Sequence, residues 1–324
     1  MFPNLGRSHS SALANLSTGT VLLPTGIDGE HLAVHYSTVL DAPTEAVLFV
    51  HGATFPTMLA FGFEFKPKDS WLTFEAKQGR LACSLDFLGF GASSRPLAMD
   101  RDPQGHPPID QAPEAAAQIA LAVHYLTETW HVSKIHLVAH SWGTIPAAMF
   151  AAYHADLVAS LTLFGPVVPL GGSRSTPPTF CWYPLPAEER FQQLRYVDLL
   201  PPGLTLLEPR VYSDWKRAFA ASGPPSGAAD SIVLKIPAGP IADIAAARMG
   251  QYPYDPSRVA VPLFVVYGDF DNVINDQNAS SFMSLFTACP LKWRMRIDHG
   301  THVMHLETNR HSLYQSVSAF IKST

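Results

Sequence analysis

Apolar residues along this chain fall into short unbroken runs separated by longer stretches of helical character. The runs cover residues 46–50, 81–85, 134–139, 158–164, 263–267 and 293–297. Such continuous runs suit strands buried on both faces, as in a parallel sheet. Helices are predicted between them over 71–78, 113–130 and 144–154, with an amphipathic closing helix over 312–321. Residues 18–36 differ: apolar and polar positions alternate around a turn at 26–29, which predicts an antiparallel hairpin. Strands alternating with helices imply right-handed crossovers and a mostly parallel, doubly wound α/β sheet.

The rhythm breaks between residues 165 and 262, a region rich in proline, glycine and aromatics with several short helix-like runs. A disordered proline-rich linker would lack this many Trp, Tyr, Phe and Leu residues. The expectation is an inserted, largely helical cap over 167–257, lying across the carboxyl ends of the strands, where open α/β sheets bind ligands. The predicted organisation is an N-terminal arm at 1–17, a core built from 18–166 and 258–324, and that cap. A chain of 324 residues fits one such core with an insertion.

Composition narrows the function classes. Apolar residues make up 47% of the chain and charged residues 15%, below the roughly 25% usual in soluble domains. Low charge leaves room for a homo-oligomeric interface. A net charge of −5 without a basic stripe argues against a nucleic-acid partner. No run reaches the apolar length of a transmembrane helix, and the first residues lack the apolar core of a signal peptide. Three widely spaced cysteines, Cys83, Cys181 and Cys289, form neither a disulfide framework nor a metal knuckle. A cytoplasmic protein with reduced thiols is the expectation.

The most informative segment is IHLVAHSWGT at 135–144, an apolar strand leading through Ser141 directly into a helix. A serine on a sharp strand-to-helix turn is held strained and exposed at the top of a sheet. The residues two before and two after it must be small, and they are Ala139 and Gly143. The helix start also aims backbone N–H groups at the site. This segment resembles the G-x-S-x-G nucleophile elbow of the α/β-hydrolase superfamily, with Ala139 in place of the first glycine. The implied fold is the α/β-hydrolase fold, in a serine-nucleophile, capped branch like esterases and lactonases.

That resemblance implies the partners. In the family the catalytic histidine follows the last strand, in contexts like G-H-x-x-H-L-E. Aligning His305-Leu306-Glu307 with that ending selects His302, with Thr301 as an inserted residue; His299 is the rival and His305 the structural candidate. The family carboxylate lies three residues beyond a glycine, which selects Asp271 after Gly268, with Asp269 as the alternative. A second family position for the acid reads Gly165-Pro166-Val167-Val168 and offers no carboxylate. The chain order Ser141, Asp271, His302 is that of α/β hydrolases. His51-Gly52 resembles the family's HG loop, implying Ala53 N–H as one oxyanion donor beside Trp142 N–H. The run 86–93 resembles the D-x-x-G-x-G-x-S loop, where Asp86 is structural.

The expected function is cleavage of a carboxylic ester or lactone through an acyl-enzyme, on a small apolar acyl substrate. Amide or carbon–carbon bond hydrolysis on the same triad is the alternative chemistry, and a non-hydrolytic ligand-binding protein is the alternative class. His299, His302 and His305 also invite a metal reading, but no helical H-E-x-x-H is present, and neither a metal nor a cofactor is implied. Phe180, Trp182, Tyr183, Phe191, Tyr196, Tyr212, Trp215 and Phe219 are candidates for an apolar pocket or for the insertion's own core. Arg195, Arg210 and Arg217 are candidates for carboxylate recognition or for a solvated surface.

Overall fold

The structure is a computed structural model that describes residues 16–171, 176–223 and 232–324. The arm expected at 1–17 lies outside the described residues up to residue 15, and Ser17 already belongs to the first strand. The alternating segment forms the hairpin β1 (Ser17–Pro24) and β2 (His31–Thr38), paired antiparallel from Ser17↔Thr38 to Pro24↔His31. Next come β3 (Glu45–Val50), α1 (Thr57–Ala60), α2 (Trp71–Lys77) and β4 (Leu81–Asp86). They are followed by α3 (Ala112–Thr129), β5 (Lys134–His140), α4 (Thr144–Tyr153) and β6 (Ser160–Phe164). Every residue of β4 and β6 is buried, the physical cause of their unbroken apolar text.

The insertion contributes β7 (Trp182–Pro186), α5 (Ala187–Leu194), α6 (Pro209–Ala220), β8 (Val233–Pro237) and α7 (Gly239–Arg248). The core resumes with β9 (Leu263–Phe270), α8 (Asp276–Ser284), β10 (Lys292–Thr301) and α9 (Arg310–Lys322). The main sheet has eight strands in the order β1-β2-β4-β3-β5-β6-β9-β10. β2 pairs antiparallel with β1 and β4, and all other pairs are parallel. The doubly wound, mostly parallel sheet expected from the sequence is therefore observed, flanked by helices.

Two local differences bear on the site. β9 and β10 run beyond their apolar stretches, to Phe270 and Thr301, with a register shift between Ile297 and Thr301. Their ends carry polar residues because they reach past the core. The insertion also contains a small antiparallel sheet, β7 with β8, that its proline-rich text conceals. Pro184, which has no N–H to give, is exposed there.

The largest fully buried side chains include Trp71, Trp142, Trp215, Tyr267 and Tyr314. Trp71 stacks on Tyr314 at 4.5 Å and ties α2 to α9. Among the described residues no helix is long and apolar enough to cross a membrane.

Candidate active site

β5 ends at His140, and Ser141 turns the chain towards α4. Ser141 has φ +56°, the left-handed region that a non-glycine residue enters only when its surroundings compel it. Close approach explains the small residue two positions on. A Cβ at Gly143 would lie 2.3 Å from the His51 carbonyl oxygen. The loop after β3 is therefore pressed against the elbow, and a Cβ on Gly52 of that loop would lie 3.0 Å from the Ser141 Cβ.

Three loop ends meet at this point. The Ser141 hydroxyl donates to His302 Nε2 at 2.8 Å. His302 Nδ1 donates to both Asp271 carboxylate oxygens at 3.1 Å. With Asp271 accepting at Nδ1, the ring holds its proton there and leaves Nε2 free to accept from the serine. Asp271 is held in turn by the Val273 amide, which donates to Oδ1 at 2.8 Å. The Asp271 side chain is wholly buried and His302 nearly so, while Ser141 is half-buried. This pair has room because residue 165 is glycine. Gly165 has φ +53°, and a Cβ on it would sit 2.9 Å from His302 Nδ1 and 3.0 Å from Asp271 Oδ2.

The amides of Ala53, next after Gly52, and of Trp142, next after Ser141, have no hydrogen-bond acceptor among the described residues. Behind them the supports are fully bonded. His51 accepts from the Phe87 amide at Nε2 (3.1 Å) and donates from Nδ1 to Gly52 O (2.7 Å). Burial holds its pKa below the ordinary imidazole value, against Asp86 and the Gly52 bond. Asp86 accepts from the amides of Thr57 (2.8 Å) and Ala92 (2.9 Å) and from His35 (3.0 Å). Burial works to raise its pKa, but the bonds and nearby imidazoles win and leave it lowered.

Several further residues support the line from Ser141 to Asp271. Glu307 accepts from the Thr301 amide (2.9 Å) and hydroxyl (2.6 Å), so the residue inserted ahead of His302 braces the histidine loop. Burial pushes the Glu307 carboxyl up to about 7. His140 donates from Nε2 to the His302 carbonyl at 2.8 Å and stacks on Phe164. Asp243 of α7 accepts from the Trp142 indole (2.8 Å) and the Ala112 amide (2.7 Å), joining the insertion to the elbow. Burial raises Asp243 to about 6. Arg190 is a further residue that the sequence reading misses. A signal existed: residues 187, 190, 191 and 194 are the buried positions of α5, at the spacing of one helix face.

The rival residues sit elsewhere. His299 is exposed, with φ +57°. Asp269 is exposed and accepts from the Gly300 amide at 3.0 Å, pinning the loop ahead of His302. His305 is fully buried among Phe55, Phe61, His140 and Phe164, and burial pushes its pKa down to about 3. Trp215 and Phe219 stack on each other at 5.0 Å, with Phe191 edge-on to both, as the insertion's own core. Arg210 and Arg217 are largely exposed and pair with Asp214, and Arg195 is exposed. All three cysteines are free. Among the described residues no group of three or more His, Cys, Asp or Glu side chains is placed to share a metal ion.

A family model described as alpha/beta hydrolase fold matches residues 46–308. A probable lysophospholipase of Arabidopsis thaliana, BODYGUARD 3, is 32% identical over 122 residues. That match takes in 38% of this chain and 21% of the plant protein, so the chain aligns with about a fifth of that relative's length. Among solved structures, the thioesterase domain from the curacin biosynthetic pathway superposes with a TM-score of 0.61 at 16% identity, over 95% of this chain and 100% of that one. A serine hydrolase involved in carbazole degradation gives the same score, identity and coverage. At such identity these two structures speak for the fold alone.

Proposed function

The chain belongs to the alpha/beta hydrolase fold family, and from that premise we propose that it is a serine hydrolase cleaving carboxylic esters or lactones through an acyl-enzyme. The observation that carries this reading is the hydrogen-bonded line from Ser141 through His302 to Asp271, with the uncommitted amides of Ala53 and Trp142 alongside.

In the first stage His302 Nε2 takes the Ser141 proton as the serine oxygen attacks the acyl carbonyl. Negative charge then develops on the carbonyl oxygen. The Ala53 and Trp142 N–H groups receive it, each contributing about 3 kcal/mol. Asp271 stabilises the imidazolium and keeps the ring oriented. His302 passes the proton to the departing alkoxide, and water repeats the cycle on the acyl-serine. Esters and lactones are favoured over amides because an alkoxide departs more readily than an amine. The insertion is read as a cap over 167–257: Trp215 donates its indole N–H to Leu59 O at 2.9 Å and packs edge-on against Phe55 of the oxyanion loop, giving an apolar roof suited to an acyl chain.

A panel of 4-nitrophenyl esters and lactones, set against an anilide and a diketone, tests the reading. Turnover of esters or lactones above the others is expected, with kcat falling by about 1,000-fold or more in Ser141→Ala. Ester turnover that survives in Ser141→Ala would place the chemistry elsewhere.

A further inference from the structure

One cation in the insertion is buried with no described anion to answer it. Arg190 on α5 is 9% exposed. Its Nη1 donates to Gln193 Oε1 at 3.2 Å, its guanidinium carbon lies 5.3 Å from the centre of the Phe55 ring, and its charge reaches the Tyr196 phenol. Its Nε has no acceptor, and among the described residues no carboxylate oxygen comes within 4.0 Å of the group. Half-buried Arg95 and Arg248 also lack an ion pair among the described residues, but two other arginines with little exposure have one. Arg80, 4% exposed, has Glu75 at 2.7 Å and Glu45 at 3.7 Å; Arg310 has Glu208 at 3.1 Å. A guanidinium cannot shed its proton, so burying one without a counter-charge is costly unless another molecule supplies the charge.

Its position indicates which molecule. Phe55 lies two residues beyond Ala53, and its ring stacks with His305 at 6.3 Å. His305 in turn lies 4.7 Å from His140, and His140 4.8 Å from His302. The Arg190 charge reaches far enough to disfavour the imidazolium forms of both His140 and His305, after burial and the neighbouring histidines. The cation therefore packs at one end of a row of rings, Phe55, His305 and His140, whose other end touches His302. Resting on the serine-hydrolase reading, we propose that Arg190 is the substrate-recognising cation of this site, and that the ester presented to Ser141 carries a singly charged anionic group. One guanidinium between apolar walls matches one negative charge; a dianion would stay half uncompensated. A carboxylate or a phosphodiester meets that requirement, each offering two oxygens to the planar fork of N–H donors.

Two matched substrate pairs separate the sources: 4-nitrophenyl hydrogen glutarate against 4-nitrophenyl butyrate, and a lysophosphatidylglycerol against the monoacylglycerol of the same chain. In one pair the anionic member should be preferred by about 100-fold in kcat/KM, and the pair showing it identifies carboxylate or phosphodiester. Arg190→Gln should bring that ratio close to one, and Arg190→Lys should recover part of it. Melting curves verify that both variants fold. No preference in either pair, or a preference unchanged in Arg190→Gln, overturns the proposal. Calorimetric binding of glutarate and glycerophosphoglycerol to the wild-type chain and to Arg190→Gln needs no turnover. Binding of at least one anion that Arg190→Gln loses is expected, and binding of neither, or equal binding to both chains, overturns it. Hydrolysis of the neutral butyrate ester, with Ser141→Ala as control, reports on the hydrolase reading by itself. Anion binding without ester hydrolysis would sink that reading and leave the Arg190 site standing.

Discussion

Replacing Gly165 by alanine separates two costs that usually arrive together. The residue has φ +53°, so alanine there carries a backbone penalty of about 1–2 kcal/mol. The same penalty applies at Gly79, which has φ +85° and nothing within 4 Å of where an alanine methyl would stand. Gly79→Ala is therefore a matched control for backbone strain. What differs is contact: at residue 165 the methyl would lie 2.9 Å from His302 Nδ1 and 3.0 Å from Asp271 Oδ2, well inside ordinary van der Waals separation. Both groups belong to one hydrogen-bonded line, with Nδ1 only 3.1 Å from the carboxylate oxygens, so relief must push the imidazole or the carboxylate out of it. Displacing a reacting group by a fraction of an ångström to 1 Å can cost about 100-fold in rate. Both variants should lose about 1.5 °C of melting temperature for each kcal/mol. Only Gly165→Ala should lose kcat, by about 100-fold on a 4-nitrophenyl ester. Wild-type kcat in Gly165→Ala, or an equal loss in Gly79→Ala, would refute the reasoning.

Two further outcomes follow from buried carboxylates. Burial pushes Asp110 up to about 8, so the native chain keeps a proton there that the unfolded chain releases above about pH 4. The stability this contributes is full below about pH 4 and is lost as pH rises through about 8. Asp110→Asn should flatten urea-unfolding stability between about pH 5 and about pH 9, stabilising most at the alkaline end; a variant with the wild-type slope would count against it. Asp243→Ala leaves the buried Trp142 indole and Ala112 amide without their acceptor, at about 1–3 kcal/mol each. Equilibrium unfolding should show that loss together with reduced kcat, and a change under about 0.5 kcal/mol would show that the two bonds are dispensable.

Much of the scaffold was legible because its text answers to local physics. β4 and β6 are buried throughout, so their residues had to be apolar, and α3 shows its buried face at helical spacing. β7 and β8 were not legible. Their register, Trp182↔Pro237 to Pro186↔Val233, joins segments far apart in sequence, and the two prolines of β7 mask its character. The site divides in the same way. Ser141 sits in a turn whose constraints are local, and His302 and Asp271 lie at strand ends that a family pattern marks. Asp243 and Gly165 act through partners 101 and more than 100 residues away, which no local pattern encodes, and Glu307 was visible as the end of a family pattern but not as the acceptor of Thr301. Among the insertion's arginines the sequence pointed to 195, 210 and 217, while Arg190 is the buried one among those described, set apart by the helical phase it shares with Ala187, Phe191 and Leu194.

The central claim is that Ser141 is a nucleophile made reactive by His302. Treatment with a fluorophosphonate, followed by intact mass and peptide mapping, tests it most directly. The account predicts a single adduct on Ser141 that is absent in Ser141→Ala and forms far more slowly in His302→Ala. An adduct on a different residue, or labelling of Ser141 that proceeds at the same rate without His302, would contradict it.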